Sequence, residues 1–292
     1  MHKDIHFKRR PMIINSPYLA KPFVMIHFMG GLGNQLFQAA MAFAYGKEHN
    51  IPVYYPRFTD QSVSRKTSYN SSFFHKLPFE TIKVTKNYRA IVLREKGFQY
   101  TKQPVPQQPV NYNCNINKFI GYFQSELYFK AYKNDIMNTF TLPIKFQENV
   151  KRKNTKIVNH PLSVSIHVRR GDYMNIQSVH YIQPIEYYEN AIKHYNPKSL
   201  FVIFSDDIEW CKKQGVFQSL ANKVYVTGEI DYNDLYLMSL CKHNIIANSS
   251  FSWWGAYLNL NRKKKVVAPS TWFGPDGPKD TGDLIPSTWI TI

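Results

Sequence analysis

Between residues 162 and 268, five short apolar runs alternate with four helix-patterned segments, and this alternation limits the fold more than any other feature of the chain. The runs fall at 162–168, 200–204, 224–226, 245–247 and 266–268; the helical patterns fall at 184–194, 208–214, 232–243 and 251–260. Strands this short and this uniformly apolar are buried on both faces, and the intervening helices supply the covering layers. A parallel α/β sheet is therefore predicted. In such sheets ligands bind just beyond the carboxyl ends of the strands, so those ends are where chemistry is sought.

The chain opens with a similar unit: an apolar run at 23–29, a glycine turn at 30–33, and a helical segment at 34–47 with Leu36, Ala40 and Phe43 on one face. A short strand at 52–55 follows. Residues 56–150 scatter Ser, Asn, Gln and Pro between aromatic pieces, and 103–110 holds three prolines, so irregular structure is expected there. The polar, basic stretch from 143 to 161 reads as a junction between two units, 1–150 and 151–292.

At 43% hydrophobic residues the chain can bury a core, which excludes wholesale disorder. A net charge of +17 favours anionic partners such as a nucleotide diphosphate or an acidic membrane surface. Nucleic acid is disfavoured because no segment interleaves aromatic with basic residues as RNA-binding sheets do. Three cysteines outside any C-x-x-C pair suggest neither disulfides nor zinc, and fit a reducing compartment. Residues 1–21 carry no apolar run of signal-peptide length, and no window approaches a membrane span. A cytoplasmic protein is expected. Its basic runs at 151–153 and 262–265 could touch anionic headgroups at the inner face of the membrane.

Three strand ends carry chemistry. The first is H-V-R-R-G-D, residues 167–172. Two-residue periodicity puts His167 and Arg169 opposite Val164, Ile166 and Val168, with Arg170 pointing the other way. A guanidinium fork at a strand end suits diphosphate oxygens, so Arg169 and Arg170 are both expected to clamp a diphosphate, and Gly171 lets Asp172 turn back over the same mouth. The plainer reading is an Arg170–Asp172 ion pair that fixes the turn. The second end is Asp206–Asp207, where one carboxylate caps the next helix and the other could hold a ribose hydroxyl. The third is Asn248, Ser249, Ser250 and Phe251, where a serine caps a helix whose free amides would bind phosphate. Trp253 and Trp254 read as core.

In the first half, G-G-L-G-N-Q at 30–35 lacks the third glycine of a dinucleotide fingerprint, because Leu36 stands there. A nicotinamide cofactor is therefore disfavoured, though Gly31 and Gly33 can still bring backbone amides against a ligand. No P-loop, H-E-x-x-H or D-x-D motif occurs.

Four stretches, G-G-L-G-N-Q-L-F-Q, G-Y-F-Q-S-E-L-Y-F, H-V-R-R-G-D-Y and I-I-A-N-S-S-F-S-W-W-G-A-Y-L, together resemble glycosyltransferase family 11, the α-1,2-fucosyltransferases, and its bacterial branch in particular. The resemblance runs from about residue 25 to the C-terminus. It implies a GT-B-like fold of two Rossmann-like domains facing a cleft, with 1–150 on the acceptor side and 151–292 binding GDP-fucose. It also implies a terminal β-galactoside acceptor and no metal or other cofactor. Arg169 resembles the arginine that grips the diphosphate, and His167 is similar to a histidine near the guanine or diphosphate. Asp234 resembles an aspartate that reads the guanine edge, and Ser250 a phosphate-binding residue. Asn34 and Gln35 sit where the glycine loop approaches the transfer site. In distantly related α-1,6 enzymes a catalytic glutamate follows the arginine motif. Here that position holds Gln177, which leaves Asp172 as the candidate base.

Overall fold

Strands joined by helices on the sheet faces must run parallel, and every strand pair in the two larger sheets does so. A computed structural model of the chain describes residues 13–14, 22–56, 69–80, 82–83, 88–106 and 114–292. In chain order, the strands of the first half are β1 (Ile13–Ile14), β2 (Phe23–Ile26), β3 (Val53–Pro56), β4 (Phe79–Glu80), β5 (Ile82–Lys83), β6 (Tyr88–Arg94) and β7 (Cys114–Ile120). β1 and β5 pair antiparallel, and the others form a five-stranded sheet in the order β4-β3-β2-β7-β6.

The second sheet contains β8 (Ser163–Val168), β9 (Leu200–Ser205), β10 (Lys223–Tyr225), β11 (His243–Ile245), β12 (Val266–Ala268) and β13 (Ile290–Thr291). Its order, β10-β9-β8-β11-β12-β13, is the doubly wound 3-2-1-4-5-6 arrangement. The strand order reverses between β8 and β11, and in the first sheet between β2 and β7. A crevice opens at each reversal, beyond the strand ends.

The helices are α1 (Leu32–His49), α2 (Lys133–Thr139), α3 (Ile144–Lys153), α4 (Thr155–Val158), α5 (Ile185–Ile192), α6 (Ile208–Lys213), α7 (Gly215–Gln218), α8 (Asp231–Leu240) and α9 (Ser250–Tyr257). On one face of β8, Val164, Ile166 and Val168 pack with Tyr188 of α5 and Phe217 of α7. The other face carries Ser163, Ser165 and His167, all buried, with Ser165 Oγ accepting from Asn244 at 2.7 Å. The alternation expected at this strand is present, with both faces covered.

α1 and α9 join the two sheets. Phe37 of α1 lies 4.4 Å from Trp253 and 5.2 Å from Trp254, ring centroid to centroid, and both tryptophans are fully buried, as core residues should be. α1 ends at Asn50, whose left-handed φ of 50° lets its N–H reach the carbonyls of Gly46 and Lys47.

Several boundaries differ from expectation. The 245–247 strand lies two residues earlier, at β11, and Ile246 N–H continues the pairing to Val267. The 232–243 helix stops at Leu240, where Cys241 turns extended. β13 was not anticipated, and neither were β6 and β7, whose polar and edge residues break the apolar pattern. The stretch read as a junction is mostly helical. α3 packs on α8, with Tyr236 Oη donating to Gln147 Oε1 at 2.9 Å. The proline-rich residues 103–106 carry no regular structure, and 107–110 lie outside the described residues.

Candidate active site

Both crevices open onto one cleft, with a cavity of about 590 Å³. From the second sheet it is lined by His167 near the end of β8, Arg169 beyond it, Asp206 beyond β9, Asn248 to Phe251 beyond β11, and Asp234 on α8. From the first sheet it is lined by Gly30 to Asn34 and by Tyr122 and Gln124 beyond β7. A third wall holds Phe98, Tyr173, His180 and Phe273.

Arg169 is the cleft's central cation. Its guanidinium reaches Asp172 Oδ1 at 2.5 Å with one terminal nitrogen and Asp206 Oδ2 at 2.8 Å with the other. Its Nε is buried without a partner. The guanidinium also sits 5.2 Å from the Tyr173 ring centroid. Arg170, expected beside it in a diphosphate clamp, does not line the cleft. It lies over Trp210 at 4.0 Å and donates through Nε to Asp207 at 3.1 Å. Strand alternation turns it to the far side, so the anticipated Arg170–Asp172 pair is replaced by Arg169–Asp172 and Arg170–Asp207. The two aspartates after β9 divide as expected: Asp207 caps α6 by accepting from Trp210 N–H at 3.2 Å, while Asp206 faces the cleft.

His167 is 5% exposed, and burial together with the neighbouring Arg169 pulls its pKa down to about 3. It is a neutral imidazole at physiological pH and can meet a ligand only as a hydrogen-bonding group. Its Nδ1 is buried and unpartnered.

Two helix N-termini meet at the cleft floor. Ser249 caps α9 by accepting from Phe251 N–H at 3.4 Å. Ser250 donates its hydroxyl across the cleft to Asn34 Oδ1 at 2.6 Å, and Gln124 Nε2 donates to the same oxygen at 2.8 Å. The Asn34 carbonyl thus ties together loops from both sheets. With that hydroxyl engaged, the α9 backbone amides remain the better phosphate donors at this end. Gly33 lies so close to α9 that an added Cβ would stand 2.4 Å from Phe251 N. Gln35, expected at the site, is 1% exposed and does not line the cleft; its Nε2 braces the turn by donating to the Gly30 carbonyl at 2.9 Å. Asn248 is likewise buried, donating to the Tyr181 and Trp272 carbonyls at 2.6 and 2.8 Å.

Asp234 lines the cleft with one carboxylate oxygen buried and unpartnered. Burial, reinforced by Glu229 and Asp231, raises its pKa to about 7. Glu229 and Asp231, which also line the cleft, were missed, although Glu229-Ile230-Asp231 just ahead of a helical pattern was a readable signal. The aromatic wall left no such trace, because its rings come from distant segments. Gln177 is exposed, donates to the Met174 carbonyl and does not line the cleft. Among the described residues, no group of three or more His, Cys, Asp or Glu is placed to hold a metal ion. Nor, among them, is any helix long and apolar enough to cross a membrane.

The sequence profile described as Glycosyl transferase family 11 matches residues 75–292. An alpha-1,2-colitosyltransferase from Escherichia coli is 31% identical, over 92% of this chain and 98% of its own. Galactoside alpha-(1,2)-fucosyltransferase 2 from Oryctolagus cuniculus is 23% identical, over 87% of this chain and 71% of its own. Among solved structures, NodZ alpha-1,6-fucosyltransferase soaked with GDP-fucose matches with a TM-score of 0.52 at 13% identity, over 81% of this chain and 92% of that one. At that identity the likeness speaks for the fold, which is GT-B-like: two Rossmann-like sheets facing a cleft.

Proposed function

The chain belongs to glycosyl transferase family 11, and on that premise we propose that it moves L-fucose from GDP-β-L-fucose to the 2-hydroxyl of a terminal β-galactoside, inverting the anomeric carbon. One observation carries this reading: Arg169, the neutral His167 and the α9 N-terminus converge on one cleft, opposite the glycine loop at Gly31–Asn34.

As the C1–phosphate bond breaks, charge develops on the departing diphosphate. The Arg169 fork and the α9 amides stabilise it, with His167 as a neutral hydrogen-bonding partner. Asp234 accepts from the donor edge of guanine, and Asp206 holds ribose. The galactoside O2 attacks C1 from the face opposite the diphosphate, and Asp172 takes the O2 proton. In the structure Asp172 is paired with Arg169, and its side chain is 53% exposed. The arriving diphosphate competes for that guanidinium and releases the carboxylate to act as base. No step requires a divalent ion, and EDTA should leave the rate unchanged.

A second reading keeps the site and changes the sugar to colitose. It is favoured by the 31% identity to the colitosyltransferase, against 23% to the fucosyltransferase. Titration calorimetry with GDP, UDP and dTDP, followed by transfer assays with GDP-fucose and GDP-colitose on a galactoside panel and product linkage by NMR, tests both. GDP-selective binding and an α-1,2-fucosyl product are expected. Preference for UDP, or a product linked elsewhere, would overturn the proposal.

A further inference from the structure

Five rings from four separate stretches of chain form a continuous ladder along one wall of the cleft. Tyr173 stacks on His180 at 4.4 Å and 11°, and His180 lies 6.1 Å from Phe273. Phe273 meets Phe98 edge-on at 4.9 Å, and Phe98 lies 6.2 Å from Tyr122. The ladder begins beneath the Arg169 guanidinium and ends at the mouth of the first sheet, beyond β7. At its inner end Tyr173 has His180 on one side and the guanidinium nearby, and Tyr173, His180 and Phe273 are half-buried. Its outer rungs are presented: Tyr122 is 37% exposed and Phe98 is half-buried.

Presenting apolar rings in water is unfavourable, and the loops that carry them are held in place by carboxylates. Asp280 accepts the Phe98 N–H at 2.9 Å, and Asp283 accepts the Tyr100 N–H at 2.5 Å. Gly97 beside Phe98 has a φ of +149°, and a Cβ there would stand 2.5 Å from Asp280 Oδ2. Glu95 accepts the N–H groups of Tyr122 at 2.6 Å and Phe123 at 2.9 Å, holding Phe123 at a left-handed φ of 53°. Asp280 and Glu95 thus pin the backbone of Phe98 and Tyr122 themselves, and Asp283 pins it two residues beyond Phe98. A wall that served only to fill space would bury its rings and need no such clamps.

We propose that Phe98, Tyr122 and Phe273 form the acceptor subsite, stacking the apolar face of the terminal β-galactoside. The inference rests on the reading above that the cleft transfers a sugar to a galactoside. The axial 4-hydroxyl of galactose lies on one face and leaves the C3, C4 and C5 hydrogens together on the other, which suits an aromatic platform. A ring seated there keeps its hydroxyl edge free. The ladder leads back to Arg169 and Asp172, where the 2-hydroxyl must arrive, and Gln124 and Asn34 flank the other side with amide groups.

The test uses the full chain with methyl β-D-galactoside and lactose as acceptors. Phe98→Leu and Tyr122→Leu should each raise the acceptor KM about tenfold or more, with kcat falling much less and GDP affinity by calorimetry unchanged. Tyr122→Phe, which keeps the stacking face, should behave as wild type. An unchanged acceptor KM in both leucine variants of an active enzyme would overturn the subsite while leaving the transfer reading intact. If the wild type binds GDP but makes no fucosylated product, the transfer reading fails on its own, and the subsite is judged by galactoside binding. Saturation-transfer NMR on the wild type does that without any variant. The strongest signals should come from H3, H4 and H5 of methyl β-D-galactoside, and uniform saturation would overturn the platform.

Discussion

The two sheets share an architecture and bring different chemistry to the cleft. Each is parallel, each reverses its strand order next to its central strand, and each aims that reversal at the same cleft. The second sheet brings charge and capped amides there: Arg169, Asp206, Asp234 and the start of α9. The first brings glycines, amides and rings: Gly31, Gly33, Asn34, Gln124 and Tyr122. In the proposed transfer the leaving diphosphate needs fixed charge in a rigid frame, which a doubly wound sheet with both faces packed can supply. A sugar acceptor needs flat apolar area and exchangeable hydrogen bonds, which loops pinned at a few points can supply.

The largest effect should come from removing the fork on the charged side. Arg169→Lys keeps the cation but cannot fork onto Asp206 and a diphosphate in one planar geometry. Transfer is expected to fall roughly 100-fold, and GDP affinity with it, at an unchanged circular dichroism spectrum. Turnover near the wild-type rate would place the charge stabilisation elsewhere and dissolve the contrast between the sheets.

Next comes the seam where the two sides touch. An alanine at Gly33 would drive its Cβ to 2.4 Å from both Phe251 N and Ser250 C. These are backbone atoms at the start of α9, so no rotamer change relieves the contact and the two helix starts must separate. Gly33→Ala is expected to cost about 2–3 kcal/mol in denaturant unfolding and to weaken GDP binding, although residue 33 comes from the first sheet's side of the cleft. A stable variant with normal GDP affinity would mean that the sheets act independently.

The same division governs how much could be read in advance. The second sheet was legible because strands such as β8 and β12 are uniformly buried, and burial leaves an apolar pattern. Strand periodicity put Arg169 at the cleft and turned Arg170 away from it, so counting Arg170 into the diphosphate clamp ran against the alternation. What periodicity could not give was the partner: Arg170 finds Asp207, 37 positions on, and Asp172 falls to Arg169. The first sheet hid β6 because that strand is an edge with Ala90, Val92 and Arg94 exposed, and β7 because Asn117 and Lys118 interrupt it. The aromatic wall was illegible for a stronger reason. Phe98, Tyr122, His180 and Phe273 share no local pattern and meet only through the tertiary fold.

The finest comparison sets one carboxylate from each side against the other. Burial raises the pKa of both Asp234 and Glu95, Asp234 to about 7. The native state therefore holds an Asp234 proton that the unfolded chain, titrating near 3.8, has already released. The stabilisation this supplies is full below the unfolded value and is lost as pH rises through 7; above that, a charged, partly unpartnered carboxylate opposes folding. Asp234→Asn removes that opposition, so it should melt higher than wild type above pH 7, with the gap closing toward pH 5, while GDP binding weakens. Glu95 is shifted in the same direction, yet its two oxygens each accept a backbone N–H. Glu95→Gln turns one acceptor into a donor facing an N–H and should lower stability by about 1–2 kcal/mol at every pH. Thermal melts of both variants from pH 5 to pH 9 decide the matter. If both variants shift the same way, burial alone sets their cost; opposite shifts mean that the first sheet's side depends on its carboxylate as a backbone clamp while Asp234, on the second sheet's side, is held at a cost to stability.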